Sequence, residues 1–120
     1  MSRTRTLMLV VPLIIFAVAG GVLIYTNTRD RAGVDKTFLV TVTRGESMTP
    51  TSLEARVNDR VTITVTSDQD GEVHVHVYDI AIEAKAGQTV SRSFTADKTC
   101  TCEIEWEETS TELGSLVVSP

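Results

Sequence analysis

The residues best suited to metal chemistry are the only two histidines of the chain, His74 and His76, in the run "EVHVHVYDI". They alternate with valines, so in a strand both point to the same side, with their Cα atoms about 6.7 Å apart. Imidazole nitrogens are common zinc and copper ligands, and two side chains so spaced can converge on one ion at about 2.0–2.1 Å. The pair therefore predicts a transition-metal site. The alternative is two surface histidines on a strand beside an acidic turn.

The second candidate is the cysteine pair of "TCTC", Cys100 and Cys102. Positions i and i+2 of a regular strand lie about 6.7 Å apart, whereas the Cβ atoms of a disulfide lie about 3.8 Å apart, which argues against a bridge between them. Three roles stay open: structural thiols, a soft-metal or redox pair, or bridges between molecules. If this strand neighbours the histidine strand, a His₂Cys₂ or His₂Cys site for Zn(II) or Cu(I) becomes conceivable.

A third candidate is acidic, because Glu103, Glu105 and Glu107 alternate after the cysteines. Carboxylate oxygens suit hard cations such as Ca²⁺ or ferric iron. The alternative is a solvated strand face that blocks aggregation, which the sequence favours.

Composition limits the classes of function. From Lys36 onward the chain has seven basic and fourteen acidic residues, so a nucleic-acid partner is not expected, because phosphate binding needs a basic face. No Ser–His–Asp pattern or glycine-rich phosphate loop is recognisable. The sequence therefore predicts a protein that is not an enzyme.

Strands must position these side chains. "RVTITVTS" alternates strictly between aliphatic residues and threonines, and no segment after residue 25 has sustained helical periodicity. About seven short strands, separated by turn-like stretches such as "RGESMTPT", "SDQDG" and "KAGQ", predict an all-β fold, a small Greek-key β-sandwich. "EVHVHVYDIAIEA" is expected to be one strand. Its isoleucines share the histidine parity, so it bends or bulges near Tyr78–Asp79, or both of its faces are partly buried.

The amino-terminal part carries a different signal. Residues 7–25 are uncharged, and about 19 residues of helix span a hydrocarbon layer of about 30 Å. The expected organisation is a cytoplasmic tail (1–6), one transmembrane helix (7–25), a linker (26–36) and an extracytoplasmic domain (37–120). "AVA" has the small-residue spacing of a cleavage site, so the alternative is a secreted protein whose signal segment is removed.

The segments "VTITVTSDQDGEVHVHVYD", "SFTADK" and "ELGSLVV" resemble the cupredoxin-like domains of bacterial exported proteins, including those associated with periplasmic iron-uptake proteins. The resemblance covers Thr37 to Pro120. It implies a cupredoxin-like sandwich, and it places His74 or His76 where a copper protein of this type supplies its first histidine ligand.

The remaining copper ligands of that family come from a Cys–His–Met loop before the last strand. The corresponding stretch, Glu105 to Glu112, contains none of these residues, so a type 1 copper site is not expected. An anchored cupredoxin domain is also similar to cytochrome oxidase subunit II, whose dinuclear copper loop uses two cysteines three residues apart. Cys100 and Cys102 are too close together for that loop and lie upstream of it.

The sequence thus predicts a single-pass, membrane-anchored, extracytoplasmic binding module of cupredoxin-like fold. Its candidate metal ligands are His74, His76, Cys100 and Cys102, with copper or zinc as the candidate ion. The alternative is a metal-free structural or protein-interaction domain that has lost the copper site.

Overall fold

The computed structural model describes residues 32–120, and its strands show the alternation of β-branched and polar residues seen in the sequence. These residues form one compact unit, Ala32–Pro120. The predicted tail, the apolar segment 7–25 and most of the linker lie outside the described residues. Among residues 32–120 the chain forms no helix with the length and apolarity that a membrane crossing needs.

Nine strands and one short 3₁₀ helix, Glu107–Thr109, make up the described part of the chain. In chain order the strands are β1 (Asp35–Thr43), β2 (Ser47–Thr49), β3 (Ser52–Arg56), β4 (Arg60–Ser67), β5 (Gly71–Val75), β6 (Ile80–Ala84), β7 (Thr89–Thr95), β8 (Cys100–Trp106) and β9 (Thr111–Ser119).

The strands form two sheets. The first sheet has the order β2-β1-β4-β7, and the second has the order β3-β9-β8-β5-β6. The β1–β4 and β3–β9 pairs are parallel, whereas the other neighbouring pairs are antiparallel. This arrangement confirms the all-β class and the two-sheet sandwich.

Two of the sequence predictions about strands are wrong. The turn-like stretch "RGESMTPT" contains the short strand β2, which pairs with β1. The stretch that begins at Glu72 is not one strand, because the chain turns over residues 76–79 and returns as β6, pairing Val75 with Ile80. The hairpin explains the change of parity: Ile82 faces the core from β6, while Val77 stands in the turn with 57% of its surface exposed.

The core lies between the two sheets and is formed by the inward residues of both. Its fully buried members include Ile63 and Val65 from the first sheet and Val75, Ile104 and Leu116 from the second. Burial of this aliphatic layer is the main stabilising contribution, at roughly 25 cal/mol for each Å² of apolar surface removed from water.

Trp106 closes the core near the start of the histidine strand. Its ring leaves no room for a side chain at Gly45 or Gly71, where an added Cβ would lie 2.4 Å and 2.1 Å from ring atoms. Gly71 is the first residue of β5, so the Trp106 ring packs directly against the start of the histidine strand.

Candidate metal site on the outer face of the second sheet

Strand β5 directs its valines inward and its histidines outward. Val73 and Val75 are buried in the core, whereas His74 and His76 are partly exposed on the opposite face. The two imidazole rings lie 4.7 Å apart between centroids and meet edge to face. The predicted alternation of this segment is therefore confirmed up to His76, where the strand gives way to the turn.

The neighbouring strand β8 supplies carboxylates to the same outer face. His74 pairs with Glu105 across the antiparallel ladder, and the backbone N–H of His76 donates to the carbonyl of Glu103 at 2.9 Å. Side chains directly opposite in such a pair have Cβ atoms about 4.5–5.5 Å apart. The register thus brings the histidine and acidic candidates of the sequence into one cluster.

Three residues of this cluster have the arrangement of a metal site. Each of His76, Glu103 and Glu105 offers one ligand atom, and these atoms all lie within 4.8 Å of one another. Ligands bound tetrahedrally at about 2.1 Å are about 3.4 Å apart, so the group needs only small side-chain rotations to close on an ion. His76 Nε2 and Glu105 Oε2 are already 3.6 Å apart.

Two ring nitrogens of the cluster have no hydrogen-bond partner within the described residues. His74 Nδ1 and His76 Nε2 are both shielded from solvent. Their nearest carboxylate oxygens, on Glu107 and Glu105, are 3.8 Å and 3.6 Å away, beyond hydrogen-bond distance. Buried polar atoms are nearly always satisfied, and a bound ion is one of the explanations for an exception.

Asp79 fixes the orientation of His74 from the turn. Its Oδ1 lies 2.8 Å from His74 Nε2. That hydrogen bond is the main cause that raises the pKa of His74; burial opposes it, and the charge of Glu107 adds to it. A carboxylate on one ring nitrogen leaves the other nitrogen free to act as a ligand, as is common in metal-binding histidines. Asp79 is not among the ligands predicted from the sequence, although its position next to the predicted bend was a usable signal.

The turn that carries Asp79 has an unusual backbone. Val77 and Asp79 have φ angles of 72° and 52°, in the left-handed region that a β-branched residue such as valine rarely adopts. Tyr78 between them anchors the turn: its hydroxyl donates to the carbonyl of Lys98 and accepts from the N–H of Lys98 at 3.0 Å. Burial raises the pKa of this hydroxyl, which keeps it protonated as a donor.

The cluster is rich in negative charge. Glu105 is largely shielded, with 15% of its side chain exposed, and Glu107 stands beside it on the 3₁₀ helix. Within residues 32–120 no lysine or arginine lies at ion-pair distance from these carboxylates. A cation bound among them would therefore be attracted by several uncompensated charges in a partly desolvated position.

The structure corrects the expectation about the cysteines. Cys100 and Cys102 form a disulfide with each other, with Cα atoms 5.4 Å apart. The expectation assumed a regular extended strand, but Cys100 is the first residue of β8, two residues after the bend at Lys98, and the shorter Cα separation lies within the range that a disulfide bridges.

The cysteine and histidine strands are neighbours, but they do not build the joint site considered from the sequence. Cys102 is fully buried on the core face of β8, whereas His76 stands on the outer face with Glu103. The sheet separates the two pairs of candidates. In the disulfide form, moreover, neither sulfur is a thiolate, which is the form that binds metals.

A type 1 copper centre does not fit the residues that are present. Such a centre needs two histidines and a cysteine thiolate around one ion. Both histidines of the chain lie on β5 and its turn, and the described cysteines are bonded to each other. The donor set of the cluster is instead imidazole and carboxylate.

Comparison with known proteins identifies the fold. No family model matches the sequence, and no curated protein matches it significantly. Among solved structures, a chain of a heme-copper terminal oxidase dimer is similar with a TM-score of 0.57 and 14% identity, covering 96% of this chain and 99% of that one. A copper binding protein in the apo form is similar with a TM-score of 0.61 and 11% identity over 75% of this chain and 92% of that one.

A third solved structure, the purple cupredoxin from Nitrosopumilus maritimus, is similar with a TM-score of 0.50 and 15% identity, covering 68% of this chain and 98% of that one. At these identities the likeness extends to the fold alone. The chain has a cupredoxin-like fold, which confirms that part of the resemblance; the association with iron-uptake proteins stays a prediction.

Proposed function

We propose that this protein is a metal-binding module that holds one divalent transition-metal ion on the outer face of its second sheet. His76, Glu103 and Glu105 are the proposed ligands, and His74 is an additional nitrogen donor oriented by Asp79. The observation that carries the proposal is the pair of shielded ring nitrogens, His74 Nδ1 and His76 Nε2, which face carboxylates without hydrogen bonding to them.

The donor set points to a borderline ion. Imidazole with carboxylate suits Zn(II) and Cu(II), whereas Cu(I) prefers sulfur ligands, which the disulfide withholds. Copper in the names of similar structures supports a copper-compatible fold, although the ligands of this chain differ from those of type 1 centres. The proposed role is binding of the ion rather than catalysis.

The experiment is a calorimetric titration of the full chain with Zn(II) and Cu(II), in a mild detergent because of the apolar segment 7–25. We expect micromolar or tighter binding of one ion. Substituting His76→Ala or Glu105→Gln should weaken binding by roughly a hundredfold or more, since even partners one shell further out contribute about 10–100-fold.

The matched control is Glu54→Gln, which neutralises an exposed glutamate of the same sheet on β3 and should leave the affinity unchanged. If the wild-type chain binds neither ion, or binds it equally well without His76 and Glu105, the metal-free interaction domain becomes the better description.

We further propose that residues 7–25 anchor the protein in a membrane with the domain outside the cytoplasm. The uncharged segment supports an anchor, and the disulfide supports an oxidising compartment, because such bridges rarely persist in the cytosol. The test is protease treatment of intact cells without their outer wall: the domain should be digested. The mass of the membrane-extracted chain then distinguishes an anchor from a cleaved signal.

A further inference from the structure

The Cys100–Cys102 bridge adds almost nothing to the connectivity of the fold. Only Thr101 lies between the two cysteines. Both already belong to the β8–β9 ladder, in which Cys100 pairs with Val118 and Cys102 pairs with Leu116. A disulfide stabilises mainly by restricting the unfolded chain, and it does so more when it closes a longer loop. A structural role therefore leaves this bridge largely unexplained.

The two cysteines differ in their exposure to solvent. Cys102 is completely buried among core residues, whereas Cys100 is only partly buried at the start of the strand. The β5–β8 ladder ends at Val75–Ile104, with one more bond from His76 to Glu103, so β5 does not pair with the Cys100 end of β8. Of the two cysteines, only the partly buried Cys100 is exposed to a thiolate from solution, because Cys102 is fully buried. Access decides which sulfur is attacked in thiol–disulfide exchange.

We propose that the Cys100–Cys102 bridge is a redox-active site that exchanges with thiols through Cys100. In the first step, an external thiolate bonds to Cys100 Sγ, the Sγ–Sγ bond breaks, and Cys102 Sγ leaves with the electron pair and takes up the proton that the attacking thiol gave up. In the second step, another thiolate attacks the sulfur of the first reagent. This forms the reagent's disulfide and releases Cys100 as a thiol, so two thiols are oxidised and the bridge gains two electrons.

The favoured class of reductant is a dithiol. After the first step Cys102 remains next to Cys100, in the same strand and two residues away, so it can expel a single bound thiol and close the bridge again. A dithiol has its second thiol already attached and resolves the mixed disulfide before this happens. The inference does not depend on the metal site, because His76 and Glu105 play no part in it.

The experiment uses the full chain in mild detergent and measures free thiols by alkylation and mass spectrometry. The chain has only two cysteines, so every thiol detected comes from this bridge. We expect dithiothreitol to reduce the bridge in the folded protein, with unchanged Trp106 fluorescence and a rate that does not rise in low denaturant. Reduction by glutathione as well supports the site, and the ratio of the two rates tells which class of thiol it prefers. Reduction that requires unfolding overturns the proposal.

Two single-cysteine variants test the direction of attack. With Cys102→Ala, a small apolar residue fills the buried position, and we expect Cys100 to form a mixed disulfide with oxidised glutathione. With Cys100→Ala, Cys102 should react roughly tenfold or more slowly in the folded state, because reactivity follows access. Equal rates for the two variants, or no reaction of either, contradict the proposal. A circular dichroism spectrum checks that each variant is folded.

Discussion

The outer faces of the two sheets are built from the same alternating pattern, yet they differ in how their polar groups are satisfied. On the first sheet, hydroxyls pair across β4 and β7: Thr62 with Ser93 at 2.7 Å, and Thr64 with Ser91 at 2.9 Å. On the second sheet, two shielded imidazole nitrogens face carboxylates at 3.6 Å or more without a hydrogen bond.

This difference separates a solvated surface from a candidate site. Hydroxyl groups are both donors and acceptors, so hydroxyls on neighbouring strands can hydrogen-bond to one another whichever of the two donates. An imidazole offers one lone pair when neutral, and an ionised carboxylate only accepts. A neutral imidazole also has one N–H donor, but a face composed of these two groups has more acceptors than donors, and a cation can bind the acceptors that remain unpaired. The outer face of the second sheet is suited to bind an ion for this reason.

The largest expected effect is on the free energy of unfolding, and it comes from the core between the two sheets. Ile63 on β4 and Ile104 on β8 are equally buried, at 1% exposure each. Replacing either by alanine should lower the free energy of unfolding by about 2–5 kcal/mol, through lost burial and a residual cavity. Denaturant unfolding of the metal-free protein measures both. Because Ile104 lies between Glu103 and Glu105, only its replacement should also weaken Zn(II) binding; an equal effect of Ile63→Ala on binding would show that the two faces are coupled through the core.

The next effect is stabilisation by the ion itself. At a free Zn(II) concentration of 100 times Kd, binding to the folded state should add about 2.7 kcal/mol to the unfolding free energy. Thermal unfolding with and without Zn(II) measures it. The gain should fall to about 0.4 kcal/mol or less in His76→Ala, whose affinity is expected to be about a hundredfold lower, and should persist in full in Thr64→Val on the first sheet. A gain that survives in full in His76→Ala would place the ion elsewhere in the protein.

A smaller effect is expected from the hydroxyl ladder. Replacing Thr62 by valine removes its hydrogen bond with Ser93, and we expect a loss of about 0.5 kcal/mol or less, because the pair is exposed and water replaces the bond. A double-mutant cycle with Ser93→Ala measures the coupling. A coupling energy several times larger would contradict the description of this face as a solvated surface.

The smallest effect concerns the proton on His74. Asp79→Asn removes the main cause of the raised pKa, so the pKa of His74 should fall towards its ordinary value of 6.5. The folded-state pKa is raised, so its contribution to stability is complete below about pH 6.5 and is lost as the pH rises through the folded-state pKa. The difference in stability between wild type and variant should accordingly be larger at pH 6 than at pH 9.

NMR titration of the His74 ring protons in the metal-free chain, wild type and variant, measures this pKa. Since 93% of the Asp79 side chain is exposed, solvent screens the pair and the change in stability will be small. An unchanged His74 pKa in the variant would remove Asp79 from its positioning role.

Much of the sandwich could be predicted from local patterns. Strict alternation in "RVTITVTS" predicted a strand with one threonine face, and the structure places Val61, Ile63 and Val65 in the core. The hairpin at residues 76–79 was not predicted, because its turn contains valine and tyrosine in place of the usual glycine or asparagine. The left-handed backbone at Val77 is maintained by the anchoring of Tyr78 to Lys98, a contact across 20 residues that no local pattern reveals.

The sequence by itself determined the all-β class, the outward pairing of His74 with His76 and the outward alternation of Glu103 with Glu105, because side-chain direction in a strand is a local property with a period of two. Only the tertiary structure decided that β8 lies beside β5, that their register joins the histidines to the glutamates, and that the disulfide belongs to the other face. Adjacency and register depend on how distant segments pack around one core. If the register between β5 and β8 were shifted by a single residue, the face of β8 that carries the cysteines would lie on the same side of the sheet as the histidines.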